Sequence, residues 1–177
     1  MPDGAETGDE NSRTRTFTWA DPVALARAGR DLSGLEYAQA IMEGRLPPPP
    51  IVSLMNMRLV EVAEGRAVFA VVPAEYHYNP IGSVHGGLAA TLLDSATGVA
   101  VSTKLPRGTI YTTLELKVNY IRPLTHETGE VRAEGHVIHL GGRTALAEGR
   151  IVDSSGKLCG FATATCLVLR PQSGPRS

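Results

Sequence analysis

Gly86-Gly87-Leu88-Ala89-Ala90-Thr91-Leu92-Leu93-Asp94-Ser95-Ala96-Thr97-Gly98-Val99-Ala100-Val101 is apolar or small nearly all round when wound as a helix. A helix of that kind is buried inside its own domain rather than laid on a surface. Its expected span is about residues 85–104, with Pro106, Arg107 and Gly108 ending it. Leu88, Leu92, Leu93 and Val99 are large enough to fill the hollow of a sheet. The flanks supply one. Residues 58–63 and 66–73, joined by Glu64-Gly65, read as a hairpin. After the helix come strand-like runs at 109–122, 129–139, 143–153 and 157–169, with turns at Gly141-Gly142 and Ser154-Ser155-Gly156. Leu114 to Tyr120 alternates cleanly, so one face of that strand is expected to be buried. Two strands, one helix and four strands make an α+β domain, an antiparallel sheet on a single helix.

Further out the pattern weakens. Residues 1–16 lack periodicity and read as a mobile tail. Asp21-Pro22 starts a short helix, and a second is expected over 33–42. Pro47-Pro48-Pro49-Pro50 reads as a stiff extended connector. The division expected is 1–50 for tail, short helices and connector, 51–170 for the main domain, and 171–177 for a second tail.

Composition removes several functions. Lys plus Arg number 17 and Asp plus Glu 18 in 177 residues, a net charge of −1, which argues against a nucleic-acid-binding domain. Cys159 and Cys166 form no CxxC and no metal-ligand spacing; seven apart in one strand, they are expected to face opposite ways as reduced thiols of a cytoplasmic protein. No segment has the roughly 18 apolar residues of a membrane helix, and the polar N-terminus does not read as a secretory signal. There is no Gly-x-Ser-x-Gly and no HExxH. His136 and His139 read as surface or hydrogen-bonded groups.

The chemistry centres on Asp94. A carboxylate inside a core helix is costly unless paired. One reading is structural, a bond to the hydroxyl of Thr91 or Thr97. The other is functional, because the helical stripe of Asp94 also carries Gly87, Ala90 and Gly98 and leaves room for a ligand or another backbone. Gly86 and Gly87 open the helix, where free N–H groups sit at the positive end of its dipole and could polarise a carbonyl. Eight residues separate Gly86 from Asp94, about 12 Å along the axis, so one carbonyl cannot reach both in one chain. If they share a reaction centre, two antiparallel helices across a two-fold axis must supply them, which predicts a symmetric homodimer.

Asn79-Pro80-Ile81-Gly82-Ser83-Val84-His85-Gly86-Gly87, with Asp94 beyond, resembles the hotdog-fold thioesterases of the phenylacetic-acid-degradation (PaaI-like) branch. The likeness covers about 51–169 and includes Asn119-Tyr120-Ile121-Arg122-Pro123. It implies an acyl-coenzyme A thioesterase built as a hotdog fold, forming dimers paired into homotetramers. It implies Asp94 as nucleophile or general base, and Gly86 of the partner subunit polarising the carbonyl, with Gly87 shaping the turn. Asn79 would orient the reacting groups, His85 fix the entering loop, and Thr113 help hold a water. Arg122 and Arg143 are candidates for the coenzyme phosphates. A thioester is already activated, so no metal or cofactor is expected. A non-enzymatic acyl-coenzyme A-binding module on the same fold is the alternative. A hotdog hydratase ranks below both, because His85 runs straight into Gly-Gly.

Overall fold

The computed structural model describes residues 12–170; the first eleven residues of the tail expected at 1–16, and the whole of the tail expected at 171–177, lie outside them. Six strands, β1 (Met57–Ala63), β2 (Arg66–Val71), β3 (Ile110–Tyr120), β4 (Val131–Leu140), β5 (Thr144–Asp153) and β6 (Leu158–Leu169), form one antiparallel sheet in the order β1-β2-β4-β5-β6-β3. Three short helices, α1 (Pro22–Ala28), α2 (Gly34–Met42) and α3 (Pro50–Leu54), precede it. The long helix α4 (Gly86–Ser102) lies across one face, packed on β4, β2, β5, β3 and β6. This is the hotdog arrangement.

The helix sits very close to the sheet. A Cβ on Gly135 of β4 would lie 2.3 Å from the Ala96 carbonyl oxygen, so only glycine allows that approach. Leu92, Leu93, Ala96, Ala100 and Val101 have no exposed surface. A fully buried Leu side chain contributes about 1.5–3 kcal/mol, so this contact outweighs the poor helix propensity of the glycines.

Bulges alter two expectations. Cys159 is the extra residue where β6 slips against β5, between the Ile151–Gly160 and Val152–Leu158 pairs. The slip restores the inward facing, and Cys159 and Cys166 are both buried, free thiols. Burial pushes both thiols up. In β3 the slip falls at Leu114, which is thereby 60 % exposed while Leu116 and Val118 pack on the core. The alternation that looked clean in sequence is broken there.

The N-terminal region also departs from expectation. Pro50 does not extend the connector; it is the first residue of α3, where its fixed φ suits a helix start. Helix α2, closed by a reciprocal Ser33–Glu36 cap, packs on β1 and α4. Arg15 donates to the carbonyls of Ser53 (2.9 Å) and Leu54 (2.6 Å) and lies 4.2 Å from the Tyr76 ring centroid. Its segment is therefore docked, not the mobile tail expected through Thr16.

The outer sheet face carries a lattice of ion pairs. Arg66 bridges Glu61 (2.8 Å) and Glu134 (2.5 Å), Arg150 reaches Glu134 (2.9 Å), and Arg132 pairs with Glu61. Val68 and Ala70 point outward from β2, yet are only 2 % and 0 % exposed. The long stems of these cross-strand neighbours roof them. Partial burial alone would raise the Glu134 carboxyl, but its bonds to Arg66 and Arg150 outweigh that and hold it at about 2, against an ordinary 4.5. The stability this lends is present above pH 4.5 and is lost as the pH falls towards about 2. Glu134→Gln is expected to cost about 1–2 kcal/mol at neutral pH and to flatten that acid loss, as read from urea melts across the range.

Candidate active site

His85 caps α4. Its N–H bonds the His77 carbonyl (2.8 Å), and its Nδ1 accepts from the Gly87 N–H (2.8 Å). The Gly87 amide is thus occupied by its own cap. Among the described residues the Gly86 N–H has no acceptor, and it sits at the positive end of a 17-residue helix. The group that approaches Gly86 is Tyr120: a Cβ on Gly86 would lie 3.0 Å from that ring. Beside it opens a cavity of about 470 Å³, lined by Val84, Gly86, Tyr120, Arg122, Leu124 and Cys159 among others.

Asn79 organises its own loop. Its side-chain oxygen accepts from the N–H groups of Ile81 (3.0 Å) and Ser83 (3.2 Å), and its Nδ2 donates to Ser83 Oγ (3.0 Å). The loop is tied further back through His77, which is buried. His77 Nδ1 accepts from the Ala74 N–H (3.0 Å), and the ring also faces the Met55 backbone. Burial first, then the nearby charge of Arg15, lower its pKa, so the ring is neutral in the fold.

Asp94 is half-buried, and neither hydroxyl suggested by the sequence serves it. Thr91 Oγ1 donates to the Gly87 carbonyl (2.8 Å) and Thr97 Oγ1 to the Leu93 carbonyl (2.9 Å). Thr113 of β3 reaches Asp94 instead, donating to Oδ1 at 2.9 Å. Two residues back on the same strand face, the Tyr111 phenol lies over Gly98, one helical turn beyond Asp94. Burial, and then the Asp94 carboxylate, push that phenol well above the usual tyrosine range.

The two predicted arginines are not brought together. Arg122 lines the cavity at Gly86 and donates to the Leu158 carbonyl. The Arg143 carbonyl accepts from Val168, the partner of Tyr111 at the far end of β3. That separates them by about 30 Å of strand. Tyr111 and Tyr120 are the site residues that sequence reasoning missed. The signal for Tyr111 was its place two residues before Thr113 in a period-two strand. Among the described residues no cluster of His, Cys, Asp or Glu could hold a metal. Among the described residues no helix is long and apolar enough to cross a membrane.

The family model "Thioesterase superfamily" matches residues 81–160. The chain is 31 % identical to acyl-coenzyme A thioesterase 13 of Homo sapiens over 108 residues, 60 % of this chain and 73 % of that one. It is 27 % identical to 1,4-dihydroxy-2-naphthoyl-CoA hydrolase of Listeria monocytogenes over 114 residues, 64 % of this chain and 91 % of that one. A variant of the phenylacetic acid degradation protein PaaI from Thermus thermophilus superposes with a TM-score of 0.62 at 30 % identity, covering 70 % of this chain and all of that one.

Tyr111 and Gly98 offer a test of the packing beside Asp94. Gly→Ala in a helix interior is ordinarily favourable by about 1 kcal/mol, but here the new Cβ would stand 2.5 Å from the Tyr111 hydroxyl. Gly98→Ala is therefore expected to destabilise by about 1–3 kcal/mol. In a Tyr111→Ala background the same change should become neutral or stabilising, as a double-mutant cycle of denaturant melts would read.

Proposed function

The chain belongs to the thioesterase superfamily and is a thioester hydrolase, and from that premise we propose that it cleaves an acyl-coenzyme A thioester, using Asp94 of one chain and Gly86 of another. The observation that carries the assignment of roles is the Thr113–Asp94 hydrogen bond on a core helix whose first amide has no acceptor among the described residues.

The carbonyl oxygen of the thioester accepts from the N–H of Gly86 of the partner subunit, which with the helix dipole stabilises the developing oxyanion. Thr113 holds Asp94 Oδ1, so that Oδ2 is turned to the reacting centre. Acting as general base, Asp94 takes a proton from water as its oxygen bonds to the carbonyl carbon. The tetrahedral intermediate then expels the thiolate, and the proton passes to sulfur, leaving the free acid and coenzyme A. Direct attack by Asp94 through an acyl anhydride reaches the same products. His85 and Asn79 act on the loop that presents Gly86 rather than on the substrate. Aryl, aryl-acetyl and medium-chain acyl groups are the candidate substrates, in keeping with the hydrolase and thioesterase names of the relatives.

Strand β3 supports the two-chain site. It is an edge strand of 11 residues, with Ile110, Leu114 and Tyr120 about 60 % exposed. A long unpaired edge is a template for another strand. Two copies joined antiparallel along β3 would set the α4 helices antiparallel as well, and bring Arg143 of one towards Arg122 of the other. Dimers of this kind paired into tetramers complete the proposed assembly.

Asp94→Asn is expected to lower kcat at least 100-fold with the fold intact. Proline is tolerated at the first position of a helix, so Gly86→Pro removes the amide, its Cβ displacing the Tyr120 ring it would meet at 3.0 Å, and should cost about 100- to 1000-fold. Equal amounts of the two inactive variants, unfolded and refolded together, should regain about one quarter of wild-type activity, because each mixed dimer holds one intact site. A mixture as inactive as its parents would assign both groups to one chain.

A further inference from the structure

Two cavities meet at Tyr37, Ser102 and Tyr111. One, of about 370 Å³, lies between α2, α3, the β1–β2 hairpin and α4, and is walled by Ile41, Met42, Val52, Met57, Leu59 and Val99. The other, of about 550 Å³, lies between α1, α2 and the start of β3. The roof over both is residues 22–54, which lie outside the stretch matched by the thioesterase model.

That roof is seated on α4 with little tolerance. The Gly34 N–H bonds the Leu105 carbonyl at 3.1 Å, and a Cβ on Gly34 would stand 1.8 Å from the Ser102 carbonyl oxygen. Arg107 pairs with Asp31 at 2.6 Å on the rim. Backbone contact of this kind fixes α2 over the end of α4.

The first cavity does not itself include Asp94 and is connected to it through β3. Thr113, which holds the carboxylate, and Tyr111, which lines the cavity, stand on one face of β3 two residues apart, about 7 Å. On α4 the cavity is walled by Val99 and Ser102, about 140° and 80° round the helix from Asp94, so the link between cavity and carboxylate runs through Tyr111 rather than along the helix. The lining is almost wholly apolar. Its one charged residue, Arg58, is turned outward to Glu130. Nothing inside would hold a phosphate or a second carboxylate.

We propose that this cavity, roofed by α2 and α3, receives the hydrocarbon chain of an acyl-coenzyme A whose carbonyl lies at Asp94, and that it selects saturated chains of about eight to ten carbons. The inference rests on the reading of Asp94 as the hydrolytic group. A water occupies about 30 Å³ of liquid, so the volume suits roughly ten non-hydrogen atoms. An aryl group bonded directly to the carbonyl ends at Tyr111, whereas a flexible chain passes it into the space between Ile41 and Val99. The methionines at 42 and 57 adapt to such a chain. Specificity then belongs to the N-terminal helices, and the chemistry to α4 and β3.

The experiment is a kcat/KM profile over saturated acyl-coenzyme A thioesters from butanoyl to dodecanoyl, together with benzoyl- and phenylacetyl-coenzyme A. It is run on the wild type, Val99→Phe and Ile41→Phe, which fill the cavity from opposite walls. The wild type should peak at octanoyl or decanoyl. Each variant should lose at least tenfold on decanoyl while keeping butanoyl within twofold, so the optimum moves to shorter chains. If one variant fails to fold, the other carries the test. Equal loss or no loss at every length overturns the cavity assignment and leaves the hydrolytic reading standing, as does a wild type that prefers the aryl substrates. A folded wild type that cleaves none of these thioesters overturns the acyl-coenzyme A reading itself, and this inference with it.

Discussion

The backbone of α4 touches the sheet at Gly135, and the rest of the molecule is arranged around that contact. With the Ala96 carbonyl where a Cβ would be, the helix cannot be lifted or rotated without breaking the packing of Leu92, Leu93 and Ala96. Protein interiors are close-packed and deform little. The helix is therefore a rigid rod, and everything it carries has a determined address. Gly86 stands at its start beside Tyr120, Asp94 at its middle beside Thr113, and Val99 and Ser102 near its end beneath the N-terminal helices.

Rigidity of that kind makes the helix a ruler. Eight residues at 1.5 Å each keep the free amide and the carboxylate about 12 Å apart. No rotamer change closes such a gap. The cavity at Gly86 accordingly does not include Asp94, and Asp94 is held from the other side by β3. A site that needs both groups is incomplete in one copy, and the long exposed edge of β3 is the surface along which a second copy can complete it.

Environment, not residue type, sets the behaviour of the acids and phenols. On the outer face two arginines hold Glu134 far below the ordinary carboxylate range despite its partial burial. Beneath the extension, burial and the neighbouring carboxylate hold Tyr111 protonated. The outer face thus spends its polarity on roofing β2, while the space under α2 and α3 is left apolar. One sheet presents an ionic surface on one side and a hydrocarbon-lined hollow on the other.

Local patterns were enough for the sequence to determine the helix, the succession of strands along the chain and the candidacy of Asp94 and Gly86, whereas Thr113 was named only through the family resemblance. An all-round apolar run, period-two strands and the spacing from His85 to Asp94 are all contained within short stretches of chain. The distance between Gly86 and Asp94 was legible too, because an α-helix has a constant rise. Tertiary structure decided what depends on register and on partners distant in sequence. A one-residue slip at Cys159 turned both thiols inward, and another at Leu114 turned an apparent core residue out, since each bulge reverses the facing of everything beyond it. Which hydroxyl meets Asp94 also depended on β3 crossing the helix, 19 residues away, rather than on the nearer Thr91 or Thr97. The N-terminal helices could be read as helices from their caps, but not as the roof of a cavity. That role comes from Gly34 meeting the end of α4, a contact between residues far apart in the chain, and only the folded chain brings them together.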